Sequence, residues 1–102
     1  MVKWFKDLYL DGITRKRVDM FKSYIDKEKL QYTVFFVTLA SNPDNLLDIM
    51  NVNELLFPYY KKKQMLILGL AGSRQQAKIM AAGIIEKVYR ETGGFDVRAY
   101  FE

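Results

Sequence analysis

The chain has 102 residues, 50% of them apolar and 15% aromatic, with a net charge of +4. That suits one globular domain, residues 1–102, with a real core, and argues against disorder. Cysteine and histidine are both absent, which excludes disulfides, thiolate or imidazole metal sites, a cysteine nucleophile and histidine acid–base chemistry.

The opening MVKWFKDLYLDG has no apolar h-region and no small-residue cleavage site. The longest apolar runs, 34–40 and 65–71, fall well short of the ~20 residues that span a bilayer. A cytoplasmic protein without membrane contact is expected. Trp4, Phe5, Leu8 and Tyr9 suit a short helix, whereas Leu8-Tyr9-Leu10 suits a short edge strand. These aromatics either cover the sheet or form a surface for a partner.

Residues 13–29 carry a helical stripe through Ile13, Arg17, Val18, Phe21 and Ile25, with Asp11 or Thr14 as N-cap. Residues 32–40, YTVFFVTLA, are β-branched and aromatic on both alternating faces, the pattern of an inner strand. Asn42-Pro43 is a helix-start signal, so a helix is expected over 43–56, ended by Pro58. Residues 65–71 form a second inner strand. Ser73–Thr92 is the clearest helix, with an apolar stripe through Ala77, Met80, Ala81, Ile84, Ile85 and Val88. Gly93-Gly94 follows as its C-cap. Residues 95–101 alternate apolar and polar, which marks a strand at a sheet edge.

The order α-β-α-β-α-β predicts an α/β fold. It is a single layered domain with three, or with the N-terminal segment four, mostly parallel strands flanked by helices. TLASNPDNLLDIM at 38–50 echoes GLAGSRQQAKIM at 69–80, too briefly to define a repeat.

The stretch MLILGLAGSRQQ has two readings. As structure, Ser73 caps the following helix with Gln76 as the reciprocal capping-box residue, Gly72 makes the turn, and Gly69 lets a helix pack closely. As a site, a glycine turn before a helix aims N–H groups at an anion. If the two inner strands are parallel neighbours, Ser41, Asn42, Asn45, Gly72, Ser73 and Arg74 share one rim at their carboxyl ends and suit a small anionic ligand or nucleotide. No nucleotide-binding motif is present. Asp44 and Asp48 lie one helical turn apart and complement a helix start more readily than they hold magnesium. Two basic clusters, Arg15-Lys16-Arg17 and Lys61-Lys62-Lys63, the second preceded by Tyr59-Tyr60, offer a weak nucleic-acid surface; solvated faces explain them more readily. No metal and no cofactor are implied.

The tail EKVYRETGGFDVRAYF, together with LASNPDNLLDI, resembles a group of small uncharacterised bacterial proteins over residues 30–102. The resemblance implies a small soluble bacterial protein and brings no activity with it. The leading functional expectation is a non-enzymatic binding or regulatory protein acting as a homodimer, joined through the N-terminal aromatics or the terminal strand. The alternatives are an anion or nucleotide binder at 72–76 and a nucleic-acid binder.

Overall fold

A computed structural model describes residues 2–26, 34–40, 45–56 and 65–102. Its strands are β1 (Val2–Leu10), β2 (Phe35–Leu39), β3 (Leu47–Asn51) and β4 (Met65–Ala71), in the sheet order β1-β4-β2-β3. The helices are α1 (Gly12–Arg15), α2 (Val18–Asp26), α3 (Arg74–Thr92) and α4 (Val97–Phe101), and a 3-10 turn spans Val52–Leu56.

The expected mostly parallel sheet is not what forms. Only β1 and β4 run parallel; β4 with β2 and β2 with β3 are antiparallel. The segment expected as a helix over 43–56 is β3 followed by the 3-10 turn. A sequence-adjacent strand can pair with β2 through a short connection, and β3 does so without a break from Phe35↔Asn51 to Leu39↔Leu47. That pairing buries Met50 on one side of the sheet and packs Leu47 and Ile49 on the other. Tertiary burial outweighs the helix-start signal at Asn42-Pro43, which lies outside the described residues, as does Pro58. Glu54 and Asn51 then fix the 3-10 turn, accepting from Asn51 N at 2.7 Å and Asn53 N at 3.0 Å.

The expected terminal strand over 95–101 is instead helix α4. Val97 and Phe101 share a face at period 2 and also at i, i+4, so the alternation does not discriminate. Gly93 takes the left-handed conformation (φ 78°) and closes α3, and Asp96 then caps α4 by accepting from Ala99 N. Only a new helix gives Asp96 that role. The expected helix over 13–29 is two pieces, α1 and α2, with Asp11 as the N-cap of the first.

Two expectations of packing hold. β2 and β4 are apolar on both faces, and α3 begins after Ser73 with Ala77, Ala81, Ile84 and Val88 buried. The sheet separates two cores. On one side Phe36, Ile67 and Leu70 meet Phe21 and Ile25 of α2. On the other, Val37, Leu68 and Ala71 meet Ala77, Ala81 and Ile84 of α3.

The N-terminal segment is a strand with an interruption. Trp4 pairs with Ile67 and Tyr9 with Gly69, so five steps of β1 run beside two steps of β4. Two strand steps cover about 7 Å, where five extended ones would cover about 17 Å. Phe5–Leu8 therefore leaves the regular ladder as an irregularity within β1, with Leu8 and Phe5 still packed against the two cores. Its aromatics cover the sheet: Phe5 stacks on Tyr9 at 6.4 Å and meets Phe101 edge-on at 5.1 Å. Trp4 donates from its indole N–H to Asp26 at 3.0 Å, with Lys22 over its ring.

Candidate functional site

Antiparallel pairing of β2 and β4 separates Asn45 from Gly72, Ser73 and Arg74, expected on one rim. Phe35 lies opposite Ala71 and Thr38 opposite Ile67. The carboxyl end of β4, with Gly72, Ser73 and Arg74, thus sits beside the start of β2. Asn45, exposed just before β3, belongs to the other end of the sheet. Ser41, Asn42, Asp44 and the cluster Lys61, Lys62 and Lys63 lie outside the described residues. Asp48 is on β3 opposite Thr38, not on the helix expected over 43–56.

The shared carboxyl-end rim belongs to β1 and β4, the parallel pair. Two strand-to-helix junctions meet there, Asp11-Gly12 and Gly72-Ser73. Asp11 joins them. One carboxylate oxygen accepts from Ile13 N at 3.1 Å, Thr14 N at 2.8 Å and Thr14 Oγ1 at 2.8 Å. The other accepts from Gly72 N at 2.7 Å, across 61 residues of sequence. Burial raises the acid's pKa, but the hydrogen bonds from Gly72, Thr14 and Ile13 outweigh it and hold Asp11 below the ordinary aspartate value. The Thr14 hydroxyl is fully buried, accepts from Asp11 N, and lies 2.9 Å from Leu70 O as well as beside Asp11.

Every expected group at the glycine turn already has a partner. Gly72 N–H is directed at Asp11. Ser73 Oγ caps α3 by accepting from Gln76 N at 3.1 Å. Arg74 lies over the Phe35 ring at 5.1 Å. An entering phosphate would meet the Asp11 carboxylate where it needs N–H donors. Of the first basic cluster, Arg15 donates to Leu10 O at 3.2 Å, and Arg15, Lys16 and Arg17 are all exposed.

Gly69 is an obligate glycine. A Cβ there would stand 2.4 Å from Met80 Sδ and 2.9 Å from Tyr9 O. This close approach of β1, β4 and α3 forms the base of a groove of about 500 Å3 running between β1 and α3. Tyr9, Ile79, Met80 and Ile84 make it apolar, and Arg15 and Gln76 stand at one end. Lys87, farther along α3, donates to Tyr9 Oη at 3.4 Å, which holds the lysine above its ordinary range. A second hollow, about 470 Å3, opens on the α2 side of β1 beside Trp4, Lys6, Asp7 and Lys22.

The sequence reading passed over two features. Asp11-Gly12-Ile13-Thr14 is a capping box in its own right, and the D-x-x-T spacing is a visible signal for it. Gly83, inside α3, lines the groove, and a Cβ there would meet nothing within 4 Å. Among the described residues no group of three or more acids could hold a metal ion, and no helix is long and apolar enough to cross a membrane. No protein-family model, curated protein or solved structure matches the chain.

Proposed function

We propose that this chain is a non-catalytic binding protein that works as a homodimer, two copies joining their sheets along β3. The observation that supports it is the contrast between the two sheet edges. The register of β1 is interrupted between Trp4 and Tyr9, with Lys6 and Asp7 exposed in the irregular segment. Bulges and charges of that kind keep an edge from pairing. β3 carries no bulge and less charge. Its five residues keep unbroken register with β2, it holds a single charged residue, Asp48, and no described strand pairs with its outer side. Leu46, at its start, is 39% exposed. A regular, apolar edge of this kind suits a copy of itself about a two-fold axis, the commonest symmetry of oligomers. The terminal segment, being helix α4, is no longer a candidate edge. The N-terminal aromatics are largely engaged within the chain.

Sedimentation velocity at micromolar concentration tests the reading. A dimer is expected. Leu46→Lys, which adds a positive charge at the start of each edge strand with little loss of core, should weaken it by about tenfold or more. A monomeric wild type overturns the proposal, and so does a dimer that Leu46→Lys leaves intact.

A further inference from the structure

We propose that the two copies join with Ile49 on the two-fold axis, so that β3 of one copy lies fully against β3 of the other. This register rests on the dimer reading above and goes beyond it by fixing which groups meet. The ladder to β2 decides which main-chain groups β3 has left. Val52 donates to Val34 O at 2.9 Å, one step beyond the pair Phe35↔Asn51. Hydrogen-bonded and non-hydrogen-bonded pairs alternate along an antiparallel ladder. Met50 and Asp48 therefore turn their N–H and C=O toward β2, and Leu47, Ile49 and Asn51 turn theirs to the outer edge. The Asn51 N–H agrees, since it donates to the Glu54 carboxylate at 2.7 Å.

Outer groups can meet near the middle of the strand with the axis at Asp48, Ile49 or Met50. An axis at Asp48 sets two carboxylates directly opposite each other, a destabilising arrangement of like charges. An axis at Met50 pairs Ile49 of each copy with Asn51 of the other and needs the Asn51 N–H, which Glu54 already holds. It also leaves Leu47 and Asp48 outside the ladder. An axis at Ile49 avoids both faults. Ile49 then exchanges its hydrogen bonds with Ile49 of the second copy, Leu47 N–H donates to Asn51 O, and Asp48 faces Met50. All five residues of β3 take part. The Asn51 N–H is missed only at the two ends of the ladder, where an interface rim is open to water. Leu47 and Ile49 pack on the α3 side of the sheet and Met50 on the α2 side. Antiparallel pairing about this axis keeps like faces together. The two four-stranded sheets become one, with both α3 helices on the same face and the β1–α3 grooves at its two far edges.

The chain has no cysteine, so single-cysteine variants report the register directly. Opposed residues of a hydrogen-bonded pair stand about 5.5 Å apart between Cα atoms, within the range of about 4.4–6.8 Å that a disulfide spans, and diagonal neighbours stand about 7–8 Å apart, outside it. Under mild oxidation at micromolar concentration Ile49→Cys should form a disulfide-linked dimer, and Asp48→Cys and Met50→Cys should not. Leu47→Cys mixed with Asn51→Cys should crosslink, and neither should alone, which tests the register without altering Ile49. Far-UV circular dichroism and sedimentation velocity under reducing conditions establish that each variant is folded and dimeric. Crosslinking of Asp48→Cys or Met50→Cys in place of Ile49→Cys overturns this register and leaves the dimer standing. So does failure of both Ile49→Cys and the Leu47→Cys with Asn51→Cys mixture in a protein that sediments as a dimer. A monomeric wild type overturns the register together with the reading it rests on.

Discussion

Asp11→Ala should be among the most damaging single polar substitutions in this protein. The carboxylate closes α1 and also ties that junction to the β4–α3 junction through Gly72 N at 2.7 Å. Loss of an N-cap costs about 1 kcal/mol. Loss of a hydrogen bond to a charged group costs about 1.5–3 kcal/mol, toward the lower end where water can replace the partner, as at the half-buried Gly72. Together about 3 kcal/mol should disappear, a fall in Tm of roughly 10–20 °C for a domain of this size. Asp11→Asn keeps an acceptor and should lose about half as much. The pH dependence has a definite sign. The folded carboxyl lies below its ordinary value of 3.8, so its contribution is complete above 3.8 and is lost as pH falls through the lower folded value. Urea unfolding of the wild type and Asp11→Ala should therefore show the full gap at neutral pH and a shrinking gap in acid below 3.8. A neutral-pH loss under about 0.5 kcal/mol, the range of an ordinary surface substitution, refutes the reasoning. So does a gap that is constant with pH.

Gly69→Ala should cost about 1–3 kcal/mol in the same assay, because Met80 can swing aside but the Tyr9 carbonyl cannot. Gly83→Ala should do the opposite and stabilise by about 0.5–1 kcal/mol, since its Cβ enters open space and the helix loses a glycine. Thr14→Val keeps the shape and removes a fully buried hydroxyl, leaving Asp11 N without its acceptor and the Asp11 carboxylate short of one donor; about 1–3 kcal/mol should be lost, with faster amide exchange at Asp11.

The legible parts of the fold were those in which one local signal agreed with tertiary burial. Ser73 and Gly93 bracket α3 with the expected capping chemistry, and β4 is apolar on both faces because helices cover both. The failures share a cause. NLLDIMN and FDVRAYF are short, and over five residues a strand and a helix place i and i+4 together. Burial against β2 decides the first, and the Asp96 cap decides the second. Strand direction was less accessible still. The α-β-α-β reading rested on a helix between 32–40 and 65–71. Once that helix is the hairpin partner β3, the crossover that would make β2 and β4 parallel is gone. Asn45 is parted from Gly72, Ser73 and Arg74 for the same reason, since only that direction put them at one end of the sheet. Asp11, which does occupy a shared rim, was visible in sequence only as a cap; its hydrogen bond to Gly72 depends on the β1–β4 pairing.

The glycine turn at the start of α3 has the general property of presenting N–H groups to negative charge. In this chain the charge is supplied from within. Asp11 Oδ2 occupies the position at Gly72 N where an external anion would otherwise sit, and Ser73 satisfies Gln76 N. The turn that looks most like a ligand site thereby becomes the clasp holding two parallel junctions in register. The same clasp orients the neighbouring groove: Asp11 anchors α1, α1 carries Arg15, and Arg15 returns to Leu10 O beside the groove. Those N–H groups keep Asp11 ionised by holding its pKa below the ordinary aspartate value, so its negative charge stays in the groove lining together with Arg15. The N–H donor that an external anion would need at Gly72 is thus committed to a charge of the chain's own, one that lines the same groove as Arg15.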